Sequence, residues 1–220
     1  MADILKLSDY ASLAAALTAI GTTVAELWID SDYTISSAEV IVPANITLKP
    51  AGGIITITGA EDSPGSLTIR GPFIPDTRQC FVYGPYGEIE LAKGSTPHIF
   101  PQMFKADTTR AMLQAAVDVA GASNVKLSIP AGTYNIDGGL FTFRPIYIEG
   151  AGSKKTVIQA SSAFGEGGML EINKDSISSI AGWKLVGIQF KGSDSDDQVH
   201  ATLGVQADYT SYPYMEDVEI

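Results

Sequence analysis

An apolar stripe at helical spacing is the first pattern along the chain. Asp9 stands where an N-cap is expected, and Gly21 follows the last apolar residue, where glycine commonly ends a helix. Between them the large aliphatic side chains recur with the period of a helix, as Leu13, Leu17 and Ile20. The pattern predicts a short amphipathic helix over about residues 9–20.

The same design returns about 100 positions later. Asp107 or Thr108 is the candidate N-cap, and Gly121 is the candidate stop. The apolar stripe between them consists of Met112, Leu113, Ala116, Val117 and Ala120. We therefore expect a second helix over about residues 107–120.

The segments that follow the two helices match at one constant offset. Leu27–Ile29 stands 100 positions before Leu127–Ile129, and Ile46–Gly52 stands 100 positions before Ile146–Gly152. Both copies then continue into β-branched runs, at residues 54–58 and 156–158. Because a constant offset over two separate segments is a repeat signal, one structural unit is expected to occur twice.

Beyond the second unit the helical pattern gives way to short strands, predicted at residues 169–172, 183–190, 203–206 and 215–220. Strands stacked as a solenoid need no helix between them, whereas a doubly wound α/β fold needs one after each strand. The predicted fold is mainly β, a right-handed parallel β-helix with capping helices at about 9–20 and 107–120. An antiparallel β-sandwich is the alternative, and it is disfavoured because hairpin-type dipeptides are scarce: Asn-Gly does not occur and Asp-Gly occurs once, at Asp137-Gly138.

The repeat also sets the expected division of the chain. Residues 1–96 are predicted to form an N-terminal β-rich module with its own helix and strands, and residues 97–220 to begin the main β-helix. Residues 185–190 and 215–220 show one pattern 30 positions apart, so the sequence is expected to stop within a turn of the solenoid. The β-helix is therefore expected to be incomplete at Ile220, with more protein after it.

Residues 97–160 resemble part of a known family. They contain an approach rich in aromatic residues and proline, a capped Ala-rich helix, a strand ending in Pro130-Ala131-Gly132-Thr133-Tyr134, and a strand ending in Gly150-Ala151-Gly152. In this order of elements the segment resembles the leading part of the pectate-lyase-like right-handed parallel β-helix domain of phage tailspikes. The resemblance implies a homotrimer in the virion tail, attached to other tail or baseplate proteins and in contact with host surface glycan.

Composition limits the partners. A chain of 220 residues with 45% hydrophobic residues can bury a substantial core. The net charge of −11 leaves no basic cluster, so nucleic acid is not expected, whereas sugars are bound by hydrogen bonds and stacking. No stretch approaches the ~20 apolar residues of a membrane span, so membrane insertion is not expected either. The N-terminus lacks a signal-peptide pattern, and Cys80 is the one cysteine, which we interpret as a small buried hydrophobe. Folding in the host cytoplasm is expected.

Three local features are candidate sites that also have plain structural interpretations. Residues 193–200 are rich in aspartate, but a solvated turn is favoured over a calcium or acid/base site because the glycine and terminal Glu of an EF-hand loop are missing. Residues 150–155 suggest a phosphate loop, yet their glycine spacing favours a turn that needs positive φ. His98 and His200 lack the spacing of zinc ligands.

Two further features bear on a sugar ligand. Glu171, together with a residue on a neighbouring turn, is a candidate for the two carboxyl groups of glycoside cleavage. Tyr209, Tyr212 and Tyr214 are candidates for stacking on sugar rings, with an ordinary loop or an interchain contact as the alternative because Pro213 lies among them. The sequence therefore assigns no catalytic, cofactor-binding or metal-binding residue.

The sequence leads to one main functional hypothesis and two alternatives. The main hypothesis is the N-terminal part of a phage tail spike or fibre, mounting a β-helix that binds, and in one version depolymerises, host cell-surface polysaccharide. The alternatives are a free-standing polysaccharide lyase or glycoside hydrolase of the pectate-lyase-like class, and a purely structural virion adaptor. The catalytic residues of any depolymerase are expected after Ile220, and no cofactor is expected.

Overall fold

The structure is a computed structural model that describes residues 3–36, 38–84, 86–105, 108–164, 167–172, 180–192, 202–207, 210–211 and 214–219. Within these residues the fold is mainly β, and the chain divides into two compact units, residues 1–106 and 107–220. The boundary predicted from the sequence lies between Thr96 and Pro97. Residues 104–105 pair with Phe81 and Val82, which keeps them in the first unit.

The described residues of the first unit form one α-helix, α1 (Leu13–Ile20), and two 3-10 turns, Leu7–Asp9 and Pro101–Met103. The strands are β1 (Asp3–Lys6), β2 (Ala25–Ile29), β3 (Tyr33–Ser36), β4 (Glu39–Val42), β5 (Ile46–Pro50), β6 (Ile55–Thr58), β7 (Gly65–Ile69), β8 (Phe81–Tyr83), β9 (Gly87–Leu91), β10 (His98–Ile99) and β11 (Phe104–Lys105). Short strands therefore follow one another through most of this unit.

Parallel pairing joins the strands of the first unit into three sheets. In chain order β2, β3 and β4 lie in different sheets, and β5, β6 and β7 return to those same sheets in the same order. Strands β8 and β9 extend the second and third sheets, while β1 flanks β2 and β11 flanks β8. The described residues between β2 and β11 contain no α-helix, so this is not a doubly wound fold.

The described residues of the second unit also form one α-helix, α2 (Thr109–Ser123), which precedes all of the unit's strands. The strands are β12 (Lys126–Ile129), β13 (Gly132–Ile136), β14 (Leu140–Thr142), β15 (Tyr147–Gly150), β16 (Thr156–Ala160), β17 (Gly167–Ile172), β18 (Ile180–Ala181), β19 (Lys184–Lys191), β20 (Thr202–Ala207), β21 (Thr210–Ser211) and β22 (Tyr214–Glu219).

Pairing in the second unit is parallel as well. Strands β12, β13 and β14 pair with β15, β16 and β17, again in chain order. The long strand β19 pairs with β15 through its first residues and with β16 through its last, and it turns between them at Gly187, whose φ is 64°. Strand β20 extends β17, β21 pairs with β18, and β22 lies beside β19. The antiparallel β-sandwich is therefore wrong.

Alternation along the strands places every second side chain in the core. Strands β2, β5, β7 and β16 alternate buried and half-buried residues, because successive side chains of a strand point to opposite faces of the sheet. Register then aligns the buried residues of neighbouring strands, as in Leu127, Ile148 and Leu185, each at most 2% exposed. The core of each unit is a set of such apolar ladders.

The internal repeat predicted from the sequence is confirmed in the register. Leu27 pairs with Leu48 in the first unit, and Leu127 pairs with Ile148 in the second, at the same offset of 100 positions. The turns that follow also correspond, because Gly52 and Gly152 both adopt positive φ, 110° and 123°. The two units share one local design for their first paired strands.

The pattern predicted at 30 positions is likewise confirmed. Leu185 pairs with Met215 and Ile188 pairs with Val218, so β22 adds to β19 in the register that the sequence indicates. Ile220 lies outside the described residues. Met215 and Val218 of β22 therefore lie on the same sheet face as Leu185 and Ile188 of β19.

The first helix forms where it is predicted, but its N-cap is different. Ser12, not Asp9, is the cap, and its Oγ accepts a hydrogen bond from the Ala15 N–H at 3.0 Å. Asp9 belongs to the preceding 3-10 turn, so it is too far back along the chain to cap the helix. Gly21, with φ of 57°, ends the helix as predicted.

The second helix begins at its predicted cap and ends later than predicted. Thr108 Oγ1 accepts a hydrogen bond from the Ala111 N–H at 3.1 Å. Gly121 lies inside the helix, where a Cβ would stand 3.3 Å from both Thr142 Oγ1 and Arg144 Cβ. This glycine thus permits close packing, and Asn124, in the left-handed region with φ of 51°, ends the helix instead.

Replacement of Ser12 tests the corrected cap. Ser12→Ala removes an acceptor for a helix N–H and is expected to lower the free energy of unfolding by about 1 kcal/mol in urea denaturation. Asp9→Ala is the matched control and should change it by less than about 0.5 kcal/mol, because Asp9 is exposed and caps nothing. A larger loss from Asp9→Ala than from Ser12→Ala would restore the original assignment.

Gly150 offers a second test, because the backbone packs closely against it. A Cβ at this position would lie 2.2 Å from the Gly187 carbonyl oxygen and 2.8 Å from Thr156 Cβ. Gly150→Ala should therefore destabilise the protein by about 1–3 kcal/mol in urea denaturation. In Gly192→Ala the new Cβ meets nothing within 4 Å, so equal losses from both variants would refute the packing argument.

Candidate functional site

The glycine turn at residues 150–155 has the form that the sequence favours. Gly152 adopts positive φ, and the segment leads into strand β16 rather than into a helix, so no helix N-terminus faces it as in a phosphate loop. Thr156 closes the turn from the core, where its Oγ1 accepts from the Ala151 N–H at 2.8 Å. The turn is a structural corner between β15 and β16.

Of the candidate metal ligands, only His98 lies among the described residues. Residues 193–200, including His200, lie outside the described part of the chain. His98 packs edge-on against Phe100, with ring centroids 4.9 Å apart. Among the described residues no group of His, Cys, Asp and Glu is arranged to hold a metal ion.

Glu171 is buried on strand β17, at 9% exposure. Its Oε1 accepts a hydrogen bond from the Gly168 N–H at 3.0 Å. The residues beside it in register are Phe141 on β14 and Gln206 on β20. The neighbouring strands therefore do not place a second carboxylate next to Glu171 in register, as paired-carboxylate glycoside cleavage would require.

Of the three predicted sugar-stacking tyrosines, Tyr214 is described and is exposed at 48%, while Tyr209 and Tyr212 lie outside the described residues. Tyr214 starts strand β22 and is the last member of a register column on the outer face of the sheet β12-β15-β19-β22. The other members are Lys126, Tyr147 and Lys184. We call these four residues the tyrosine–lysine column.

The lysines of this column lie over the tyrosine rings. Lys184 Nζ is 4.7 Å from the ring centroid of Tyr147 and 4.6 Å from that of Tyr214, so its ammonium stands between the two rings. Lys126 Nζ lies 5.7 Å from the Tyr147 ring, across from Lys184. Each cation–π contact at such an exposed site contributes about 0.5–1 kcal/mol.

Two glutamates fix the polar ends of the column. Tyr147 Oη donates to Glu149 Oε2 at 3.1 Å, and Lys126 Nζ donates to the same oxygen at 2.6 Å. The hydrogen bond from Lys126 holds the pKa of Glu149 below its usual value. Tyr214 Oη donates to Glu216 Oε2 at 2.7 Å, and this hydrogen bond raises the pKa of Tyr214. Each tyrosine thus donates to the glutamate two residues further along its own strand.

The first unit contains a related cluster on the outer face of β2 and β5. Trp28 Nε1 donates to Glu26 Oε1 at 2.5 Å, and Lys49 Nζ lies 4.7 Å from the centroid of the Trp28 ring. Lys49 also forms an ion pair with Glu26 at 3.5 Å. At the offset of 100 positions this pair corresponds to Lys126 and Glu149, with the charges exchanged.

A second polar contact ties the glycine corner to the last strand. Asp217 accepts hydrogen bonds from the Ser153 N–H at 2.9 Å and from Ser153 Oγ at 2.7 Å. These hydrogen bonds hold the pKa of Asp217 below its usual value, and the bond from the backbone N–H has the larger effect. Nearby, Gln189 Nε2 donates to Glu219 Oε2 at 3.0 Å. The edge strand β22 is therefore held by side chains as well as by its backbone ladder.

The first unit has the same contact between a serine and an aspartate. Asp30 accepts from the Ser8 N–H at 2.9 Å and from Ser8 Oγ at 2.7 Å. Partial burial works to raise the pKa of Asp30, but the hydrogen bonds from Ser8 outweigh it and the pKa is lowered. Both contacts depend on an ionised carboxylate that accepts two hydrogen bonds.

Sequence reasoning found one member of the column and missed the other three. Lys126 and Tyr147 precede Leu127 and Ile148, which both belong to the internal repeat, but the repeat relates them to the first unit and does not predict that they pair with each other. Lys184 pairs with Tyr147 across a longer and less regular stretch of chain, for which the repeat gives no register. Cys80 is fully buried, as predicted, and burial raises the pKa of its thiol.

Comparison with known proteins identifies no relative from which a function could be inferred. No family model matches the chain, and neither the curated proteins nor the solved structures include a significant match. No helix among the described residues has the length and apolar character needed to cross a membrane. The function proposed below is therefore argued from the parallel sheets and the column.

Acid should weaken the serine–aspartate contacts. An aspartate whose folded pKa lies below the ordinary 3.8 stabilises the folded state above that pH, and the stabilisation is lost as the pH falls through the folded pKa. Asp217→Asn should therefore be less stable than wild type at neutral pH, and the difference should shrink as the pH falls below the ordinary aspartate pKa of 3.8 and through the lowered folded pKa. Asn tolerates the positive φ of Asp217, so the backbone is preserved.

Urea denaturation of both proteins across this pH range measures the difference directly. The comparison with wild type cancels the contribution of the remaining carboxylates, which also protonate in acid. A stability difference that stays constant from neutral to acid pH would show that the Asp217 carboxylate does not act through its charge.

Proposed function

We propose that this chain belongs to a phage tail spike or fibre and that its parallel sheets are the turns of a right-handed β-helix that contacts host surface polysaccharide. The observation that carries the proposal is the order in which strands return to the sheets. In the first unit β5, β6 and β7 return to the three sheets of β2, β3 and β4. In the second unit β15 and β16 pair with β12 and β13 in one sheet that β19 joins, and β17 pairs with β14 in another. A chain whose successive strands return in order to the same parallel partners has the connectivity of a solenoid.

The handedness follows from a general rule. Crossovers between parallel strands of one sheet are right-handed in nearly all proteins, because the twist of the strands favours that direction. The sequence resemblance of residues 97–160 to tailspike β-helix domains supports the same conclusion.

The two helices support the proposal by their position. Helix α2 precedes the first turn of the second unit and packs on β12, β13 and β14. Gln114 on this helix donates to the Phe141 carbonyl oxygen at 2.8 Å and accepts from the Phe141 N–H at 3.0 Å. A helix in this place covers apolar residues and satisfies backbone groups that an open solenoid turn would expose.

The surface supports a glycan as the ligand. The tyrosine–lysine column and its two glutamates present hydroxyl, ammonium and carboxylate groups in a line across four adjacent strands. Such groups bind sugar hydroxyls, whereas the net charge of −11 opposes binding of a polyanion. Homotrimer formation and attachment to other tail proteins are included in the proposal because tailspikes that this segment resembles are built in this way.

A free-standing polysaccharide lyase or hydrolase is the second candidate. The buried Glu171 carboxylate is the feature that would favour it, although its register neighbours, Phe141 and Gln206, are not acids. A purely structural virion adaptor is the third candidate and would need neither the column nor Glu171. The three candidates differ in assembly, in glycan binding and in cleavage.

Sedimentation equilibrium and polysaccharide assays on the purified chain separate these candidates. For a tail spike we expect a trimer that binds a bacterial capsule or lipopolysaccharide in surface plasmon resonance. A monomer that releases reducing ends from the polysaccharide would support the free-standing enzyme and overturn the tail assignment. A trimer that binds no polysaccharide of the panel would leave the structural adaptor.

A further inference from the structure

Lys184 differs from the other lysines of the two outer-face clusters in what surrounds its ammonium group. Lys126 pairs with Glu149 at 2.6 Å and Lys49 pairs with Glu26 at 3.5 Å. Among the described residues no carboxylate lies within 4.0 Å of Lys184 Nζ, which has tyrosine rings on two sides. Its N–H groups are therefore available to an acceptor that approaches from solvent.

The groups around Lys184 have spare acceptor capacity. Tyr147 and Tyr214 donate their hydroxyl hydrogens to Glu149 and Glu216, so each phenol oxygen remains able to accept. The glutamates also keep unused lone pairs on their carboxylates. A ligand that accepts from Lys184 and donates to these oxygens would satisfy the whole set.

The charge of the column selects between two kinds of ligand. The charges of Lys126 and Lys184 are balanced by those of Glu149 and Glu216. A carboxylate or phosphate that approached Lys184 would meet both glutamates, and like charges at such short range disfavour binding. Sugar hydroxyls act as donors and acceptors together, so they fit without this repulsion.

The geometry also decides how a sugar would be held. Lys126 and Lys184 lie over the Tyr147 ring from the strands on its two sides, so that ring has no open face for a sugar to stack on. Tyr214 has Lys184 over one face. Recognition at this surface therefore depends on hydrogen bonds to the outer ends of the side chains rather than on stacking.

We propose that the tyrosine–lysine column, together with Glu149 and Glu216, binds a neutral, hydroxyl-rich glycan, with Lys184 as its main hydrogen-bond donor. This inference rests on the proposed function and makes it more specific, because it places the glycan on one sheet face and excludes acidic polysaccharides as the preferred ligand.

A panel of immobilised bacterial polysaccharides, half of them neutral and half rich in uronic or sialic acid, tests the inference by surface plasmon resonance. The wild-type chain is expected to bind neutral members of the panel. Lys184→Met keeps the alkyl stem between the rings but removes the ammonium, and it should weaken that binding about tenfold. Tyr214→Phe keeps the ring and removes the hydroxyl, and it should weaken binding several-fold.

Lys49→Met is the matched control. It removes an ammonium that lies over an aromatic ring of the first unit at a similar distance, 4.7 Å from Trp28, and it should leave glycan binding unchanged. Circular dichroism and thermal unfolding of each variant separate a loss of binding from a loss of fold. If Lys184→Met does not fold, the glycan binding of Tyr214→Phe tests the site instead.

The charge argument has its own test in Glu216→Gln. If the glutamates exclude acidic ligands, this variant should bind the uronic-acid polysaccharides more tightly than wild type does. No gain in this assay would remove the basis for the neutral preference.

The remaining outcomes distinguish this inference from the proposed function. Neutral glycan binding that survives both Lys184→Met and Tyr214→Phe would overturn the column as the site, while the proposed glycan contact would stand. Wild-type binding to acidic members only would overturn the ligand class. No binding to any polysaccharide would overturn both the site and the glycan contact.

Discussion

The parallel register between neighbouring strands is the constraint on which the rest of this protein depends. Side chains alternate between the two faces of a strand, so a slip of one residue would move every core side chain to the surface. The ladder Leu127–Ile148–Leu185 and the outer column of Lys126, Tyr147 and Lys184 come from adjacent positions of the same strands. One register therefore fixes both the apolar core and the polar surface.

Sequence analysis predicted structure correctly where apolar residues recur at a regular spacing. It was wrong where local hydrogen bonding or packing determines which residue ends a helix. The offset of 100 positions predicted that one structural unit occurs twice, and the pairs Leu27 with Leu48 and Leu127 with Ile148 are its matching parts. The spacing of 30 positions matched apolar residues that must face the core, so Leu185 with Met215 followed from pattern alone. The cap at Ser12 did not, because two acceptors stand near the helix start and only backbone geometry selects between them. Gly121 was misleading for a similar reason, since glycine serves tight packing as well as helix ends.

The candidate site was less accessible to sequence analysis than the fold. Tyr214 was noticed as one of several tyrosines near Pro213, yet its partners Lys184 and Tyr147 lie on other strands. Between β15 and β19 the chain leaves the regular step of the first strands, so no repeat predicts that Tyr147 and Lys184 meet. Residues on the outer face of a sheet also lack the apolar pattern by which core residues can be recognised in a sequence. Which outer-face side chains are neighbours can then be found only from the strand register.

The exchanged charges of the two units clarify what the outer faces do. Glu26 with Lys49 and Lys126 with Glu149 are ion pairs at equivalent diagonal positions, with the charges exchanged. Both arrangements of charge stabilise the same strand register. A contact that survives charge reversal stabilises the sheet with either sign, so the contact does not by itself indicate a ligand. Lys184 does not follow this pattern, since its ammonium lies between two rings and no carboxylate of the described residues is within 4.0 Å of it. Lys49 and Lys126 each form an ion pair that stabilises the register of their strands, whereas Lys184 forms none with the described residues. Among these three lysines, Lys184 is therefore the one best placed to bind a ligand.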